Sequence, residues 1–190
     1  MRPLLLAGIV LLATAVTAPA QIPVYHGVLD VEPAGGTFNT TTGMAVVKVR
    51  RWRLHLAAGS NGIFPDREPI LLEIRDPLTD RATTLNLAAG MMKASANGKA
   101  FTYRAPHGTP PPAVRVFQLK LRKDGWYSVI LTLTGVDLSP LLVQAPVCFS
   151  TTIIVGDDDG FSGVWYTRAN FKTRRLRIPA DCSAPWPRLS

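Results

Sequence analysis

The chain is poor in the residues that most often carry chemistry. It holds two cysteines and three histidines in 190 residues. His26, His55 and His107 fall in an N-terminal segment, a strand-like run and a proline-rich loop, without the spacing of metal ligands. Neither Cys148 nor Cys182 has a histidine near it in sequence, so the two do not read as a zinc site. There is no G-x-S-x-G, no H-E-x-x-H and no phosphate loop. Their absence removes the usual local signatures of serine hydrolases, zinc peptidases and P-loop nucleotidases. The run "GFSG" is one residue short of the hydrolase elbow and lacks its strand-to-helix context. No nucleic-acid-binding motif is visible. Helical patterning is missing as well. No stretch sustains apolar residues at helical spacing, and sixteen prolines argue against long helices. Acids are outnumbered, thirteen against 21 lysines and arginines, for a formal net charge of +8 at pH 7.

What is present begins with "MRPLLLAGIVLLATAVTAPA". Arg2, the apolar run over 4–16 and Ala18-Pro19-Ala20 predict a cleaved secretory signal peptide over residues 1–20. The run is shorter than the roughly 20 residues a spanning helix needs, so no transmembrane anchor is predicted. A secreted or periplasmic chain folds in an oxidising compartment, where Cys148 and Cys182 are expected to form a disulfide. In the chain-entropy model its closure stabilises by roughly 3–4 kcal/mol. A basic exported protein is drawn to anionic polysaccharide or to an envelope surface.

The rest alternates apolar and polar residues in short runs rich in Val, Ile, Thr and aromatics, divided by Gly, Pro and Asn. The pattern predicts an all-β, single-domain antiparallel β-sandwich built from hairpins. An N-terminal strand and loop occupy 21–44, the sandwich 45–181 and a proline-rich tail 182–190. In "MAVVKVRRWRLHLAAG", Val47 and Val49 have one parity and Trp52, Leu54 and Leu56 the other. An extra residue near Arg50-Arg51 restores one buried face, which predicts a β-bulge. In "MMKASANGKAFTYR", Asn97-Gly98 predicts a two-residue hairpin turn that pairs Ala94 with Phe101. In "VFQLKLRKDGWYSVILTLTG" a two-residue turn would cross the faces. A three-residue loop over 123–125, ending on Gly125 in a G1 bulge, pairs Leu121 with Tyr127, Leu119 with Val129 and Phe117 with Leu131. Between these hairpins, "HGTPPPA" is stiff and extended, and is expected to cross over within the sandwich.

The segments "NLAAGMMKASANGKAFTYR", "KLRKDGWYSVILTLTGVDL" and "TTIIVGDDDGFSGV" give the chain a pattern that resembles secreted all-β modules of bacteria. They cover about a third of the chain and consist mainly of turn chemistry. The resemblance implies a secreted β-sandwich and no particular activity.

Three features offer binding chemistry. The first is "IIVGDDDGFSGV". Asp and Gly are turn formers, so the segment is expected to close a hairpin. Asp157 and Asp159, two residues apart, could point one way and hold Ca2+ with backbone carbonyls, but no glutamate closes the loop as an EF-hand requires. The second is the set of basic runs "KVRRWR", "KLRK" and "KTRRLR", with Trp52, Trp126 and Trp165 near or between them. Arginine beside an aromatic ring can stack on a sugar and pair with sulfate or phosphate. Arg51, Trp52, Arg53, Arg174, Arg175 and Arg177 are therefore the expected anion-binding set. The third is Asn39-Thr40-Thr41, which fits the N-glycosylation acceptor pattern. The sequence reading is a non-enzymatic interaction or structural protein of the cell envelope or exterior that binds an anionic glycan or polymer. The alternative is a small secreted hydrolase with a carboxylate pair drawn from Glu68, Glu73, Asp76 or Asp137.

Overall fold

The computed structural model describes residues 25–32, 34–143, 147–156 and 159–178. The predicted signal peptide, the proline-rich tail, Asp157 and Cys182 lie outside the described residues. The chain forms β1 (Tyr25–Asp30), β2 (Ala34–Phe38), β3 (Met44–His55), β4 (Ile70–Asp76), β5 (Arg81–Leu87) and β6 (Lys93–Ala94). Then follow β7 (Ala100–Arg104), β8 (Ala113–Leu121), β9 (Tyr127–Asp137), a 3-10 turn at Ser139–Leu142, β10 (Val147–Val155), β11 (Asp159–Asn170) and β12 (Arg175–Ile178). Among the described residues no helix is long and apolar enough to cross a membrane.

All-β character follows from the alternation. β4 reads buried, half-buried, buried along its whole length, and β9 does nearly the same. The strands hydrogen-bond in the order β5-β4-β10-β11-β12-β2-β3-β9-β8-β7-β6. The predicted antiparallel sandwich does not describe this pairing. β1 runs parallel to β11, with Tyr25 opposite Asp159, and antiparallel to β3, with Leu29 opposite Leu54. Strands β1, β11, β12, β2 and β3 thereby close a five-stranded barrel. β10-β4-β5 extends from its β11 side and β9-β8-β7-β6 from its β3 side. The reason is that β1 and β2 share one edge of β3, at its two ends. β1 meets β11 directly and β2 is joined to it through β12, so the sheet returns on itself instead of splitting into two layers.

β2 lies in a segment that the sequence assigns to a loop. "AGGTF" has too few side chains to show alternation. A side chain at Gly36 would run into the carbonyl oxygen of Val46, so the absence of a Cβ is what lets β2 approach β3.

Local turn chemistry holds well. The bulge in β3 lies where the parity changes: Val49 faces Leu131 and Trp52 faces Val129, so β3 carries one extra residue between these pairs. Leu121 pairs with Tyr127, Leu119 with Val129 and Phe117 with Leu131. Gly125 closes that loop at a φ of 83°, and the Arg122 N–H donates to the Trp126 carbonyl at 2.8 Å. Ala94 pairs with Phe101 as predicted, but through a longer loop. The Ser95 N–H donates to the Ala100 carbonyl and its Oγ accepts the Ala100 N–H, which leaves 96–99 as the loop. The "HGTPPPA" segment makes no crossover, because it joins β7 and β8, which are direct antiparallel neighbours.

The core is one continuous cluster. At its centre the rings of Trp52 and Trp165 lie 6.3 Å apart, and Phe149 lies 5.1 Å from Trp165. The Trp52 Nε1 donates to the Glu32 carbonyl at 2.8 Å and the Trp165 Nε1 to the Thr151 hydroxyl at 2.6 Å. Both tryptophans are fully buried. Each removes about 150–250 Å² from water, worth up to about 4–6 kcal/mol.

Candidate functional site: a basic groove on β3, β8 and β9

The bulge that keeps Trp52 inside has an effect on the outer surface. It leaves Arg50 and Arg51, two consecutive residues, both exposed. Across β9 the three-residue hairpin loop fixes which residues of β8 face outward, namely Gln118, Lys120 and Arg122. The outer face then builds up in rows. Arg53 pairs with Ser128, and Ser128 with Lys120. Two strand spacings put the Cα atoms of Arg53 and Lys120 about 10 Å apart, with Ser128 between them. One row along, Gln118 pairs with Ile130, opposite the bulge. At the end, the His55 and Trp126 rings meet at a 46° tilt with centres 4.9 Å apart, beside Arg122.

The result is a groove of about 740 Å³. It is lined by five cations, Arg50, Arg51, Arg53, Lys120 and Arg122, against two carboxylates, Glu32 and Asp124. The Arg53 guanidinium sits 5.0 Å from the centre of the half-buried Trp126 ring. Its Nη2 donates to Asp30 at 2.8 Å. That hydrogen bond holds Arg53 above its ordinary pKa, with partial desolvation acting the other way. Arg53 therefore keeps its positive charge over the whole physiological range.

The expected anion-binding set divides. Arg51 and Arg53 line this groove. Trp52 does not reach it: it is fully buried against Trp165, and its indole N–H is used by Glu32. Trp126 is the aromatic at the surface. Arg174 and Arg175 line a different cleft, with Phe38 and Pro111, and Arg177 lies on β12 opposite Arg168. The parity that puts Trp52 on the face of Leu54 already excludes it from a surface role. The hairpin register that aligns Arg122 with Trp126 was the signal for the better aromatic.

β10 and β11 form a hairpin, pairing from Val147 with Thr167 to Val155 with Asp159, and Asp157 and Asp158 between them lie outside the described residues. Asp159 is buried, and the Ser60 hydroxyl donates to its Oδ2 at 3.1 Å. Among the described residues no group of three or more His, Cys, Asp or Glu side chains is placed to hold a metal. The four carboxylates of the hydrolase alternative each have a local partner. Glu68 accepts the Phe64 N–H, Glu73 pairs with Arg75, Asp76 closes the turn at Leu78 and Thr79, and Asp137 accepts the Ser139 N–H.

No known protein family, curated protein or solved structure matches this chain. The functional reading therefore rests on the groove itself.

Proposed function

We propose that this protein is an exported, non-catalytic binding module whose β3–β8–β9 face takes an anionic polymer, an acidic or sulfated polysaccharide of the cell envelope or exterior. The observation that carries the reading is the gathering of five cations around Ser128, with the tilted Trp126–His55 pair beside one end. A linear polyanion fits this row spacing, because charges repeated along a chain can engage Arg51, Arg53 and Lys120 in turn. Trp126 offers a flat face to a sugar ring between charged groups. The leader over 1–20 and the Cys148–Cys182 disulfide belong to the same reading of an exported protein.

The test is a titration with dextran sulfate, and with neutral dextran as control, over a range of salt. Binding to dextran sulfate is expected to fall steeply with salt, because exposed charges are screened within about 10 Å at 0.1 M and about 3 Å at 1 M. The combined variant R51S/K120S should weaken binding and flatten that salt dependence. An affinity that is equal at low and high salt overturns the reading.

A further inference from the structure

A second cavity, larger than the basic groove, lies away from it. It is an open cleft of about 910 Å³ where β5 meets the ends of β3 and β9 and the β11–β12 turn. Its surface is mostly apolar, built from Phe38, Met44, Val46, Ala82, Pro111 and Pro112. Phe38 is buried as its floor, and Met44 is 44% exposed at the rim. Volume and lining both match the range of small-ligand sites, about 300–1,000 Å³ with few polar groups.

The cationic groups of the lining sit on one side. Arg174 and Arg175 border the cleft on the turn between β11 and β12, and among the described residues neither makes an ion pair. The single carboxylate of the lining, Asp137, already accepts a hydrogen bond from the Ser139 N–H. The turn is held firmly. The Asn170 Oδ1 accepts the N–H groups of Lys172 and Thr173, the Phe171 ring meets Phe38 edge-on at 6.3 Å, and the Arg174 carbonyl accepts the Phe38 N–H at 3.0 Å. Within it Arg174 has a φ of 52°, a left-handed conformation that a branched-chain or long side chain adopts at a cost. A glycine would hold this turn at less cost.

We propose that this cleft binds a single-chain anionic amphiphile, a long-chain carboxylate, with its head on Arg174 and Arg175 and its chain along the Phe38–Val46 floor. The apolar lining selects against the polysaccharide proposed for the other face. The paired arginines select for a charged head over a neutral one, because a guanidinium pairs bidentately with a carboxylate.

The test is calorimetric titration of the full chain with decanoate and dodecanoate, and with the matching alcohols. Carboxylate affinity should rise by up to about fourfold per added methylene, and should exceed that of the alcohol of equal length. The variant R174G/R175Q should bind carboxylates roughly tenfold or more weakly and alcohols as before. R174G removes charge while relaxing the backbone, and unchanged alcohol binding and an unchanged thermal transition in the same variant show that lost carboxylate binding is not a folding failure. Equal affinity for acids and alcohols, or carboxylate binding unchanged in R174G/R175Q, overturns the proposal. So does the absence of binding by either series. None of these outcomes bears on the polysaccharide groove, which is read by dextran sulfate alone.

Discussion

Arg53 is shared between Asp30 and Trp126: its Nη2 lies 2.8 Å from the carboxylate while its guanidinium lies 5.0 Å from the indole centre. One side chain on β3 thus ties the barrel-closing strand β1 to the hairpin that carries the groove. Replacing Asp30 with asparagine removes the opposing charge while keeping a hydrogen-bonding group. D30N should raise affinity for dextran sulfate severalfold and leave the melting temperature nearly unchanged, because both partners are well exposed. Weaker binding by D30N would show that Asp30 orients Arg53 more than it competes for it.

The two tryptophans near Arg53 separate stability from binding. Trp52 is fully buried and Trp126 is half-buried at the groove. W52A should destabilise the protein by about 3–5 kcal/mol, the usual cost of emptying a buried aromatic site. W126A should change stability far less and lower polysaccharide affinity. Denaturant titration and binding isotherms on both variants check the contrast.

Barrel closure depends on the approach of β2 to β3. A Cβ on Gly36 would collide with the Val46 carbonyl, whereas one on Gly35 would meet nothing nearer than the Leu176 carbonyl at 4.0 Å. G36A should therefore cost about 1–3 kcal/mol as an overpacked contact, and G35A should be close to neutral. Equal denaturation midpoints for the two variants would mean that β2 yields easily at this crossing.

Burial of the Tyr127 phenol, with the nearby Asp159 charge adding to it, raises its pKa above the ordinary 10.0. The sign follows from proton counting. Above the unfolded value the unfolded tyrosine loses its proton while the folded one keeps it, so rising pH favours unfolding. The stability is fully present below about pH 10 and is lost as pH climbs through the folded value. The wild type should therefore lose stability relative to Y127F at alkaline pH. Parallel stability curves for the two proteins between about pH 8 and 11 would contradict this burial effect.

The candidate groove was partly legible in sequence. The basic runs "KVRRWR" and "KLRK" could be read directly, and the hairpin register implied that Lys120 and Arg122 face outward. That they lie beside Arg51 and Arg53 follows only from the pairing of β3 with β9 and of β9 with β8. "KTRRLR" carries the same composition but follows β11 to a different cleft. Charge runs are alike in sequence, and only strand neighbours distinguish them.

By itself the sequence determined the all-β class, the β3 bulge, the three-residue loop ending at Gly125 and the burial of Leu119 against Val129. These depend on side-chain parity and turn φ values, which are properties of adjacent residues. Only the tertiary structure decided that β1 runs parallel to β11 and closes a barrel, that "AGGTF" becomes a strand, and that the arginines separate into two clefts. Backbone hydrogen bonds between distant strands are chemically the same at every residue, so which strands become partners is settled by how the whole core packs.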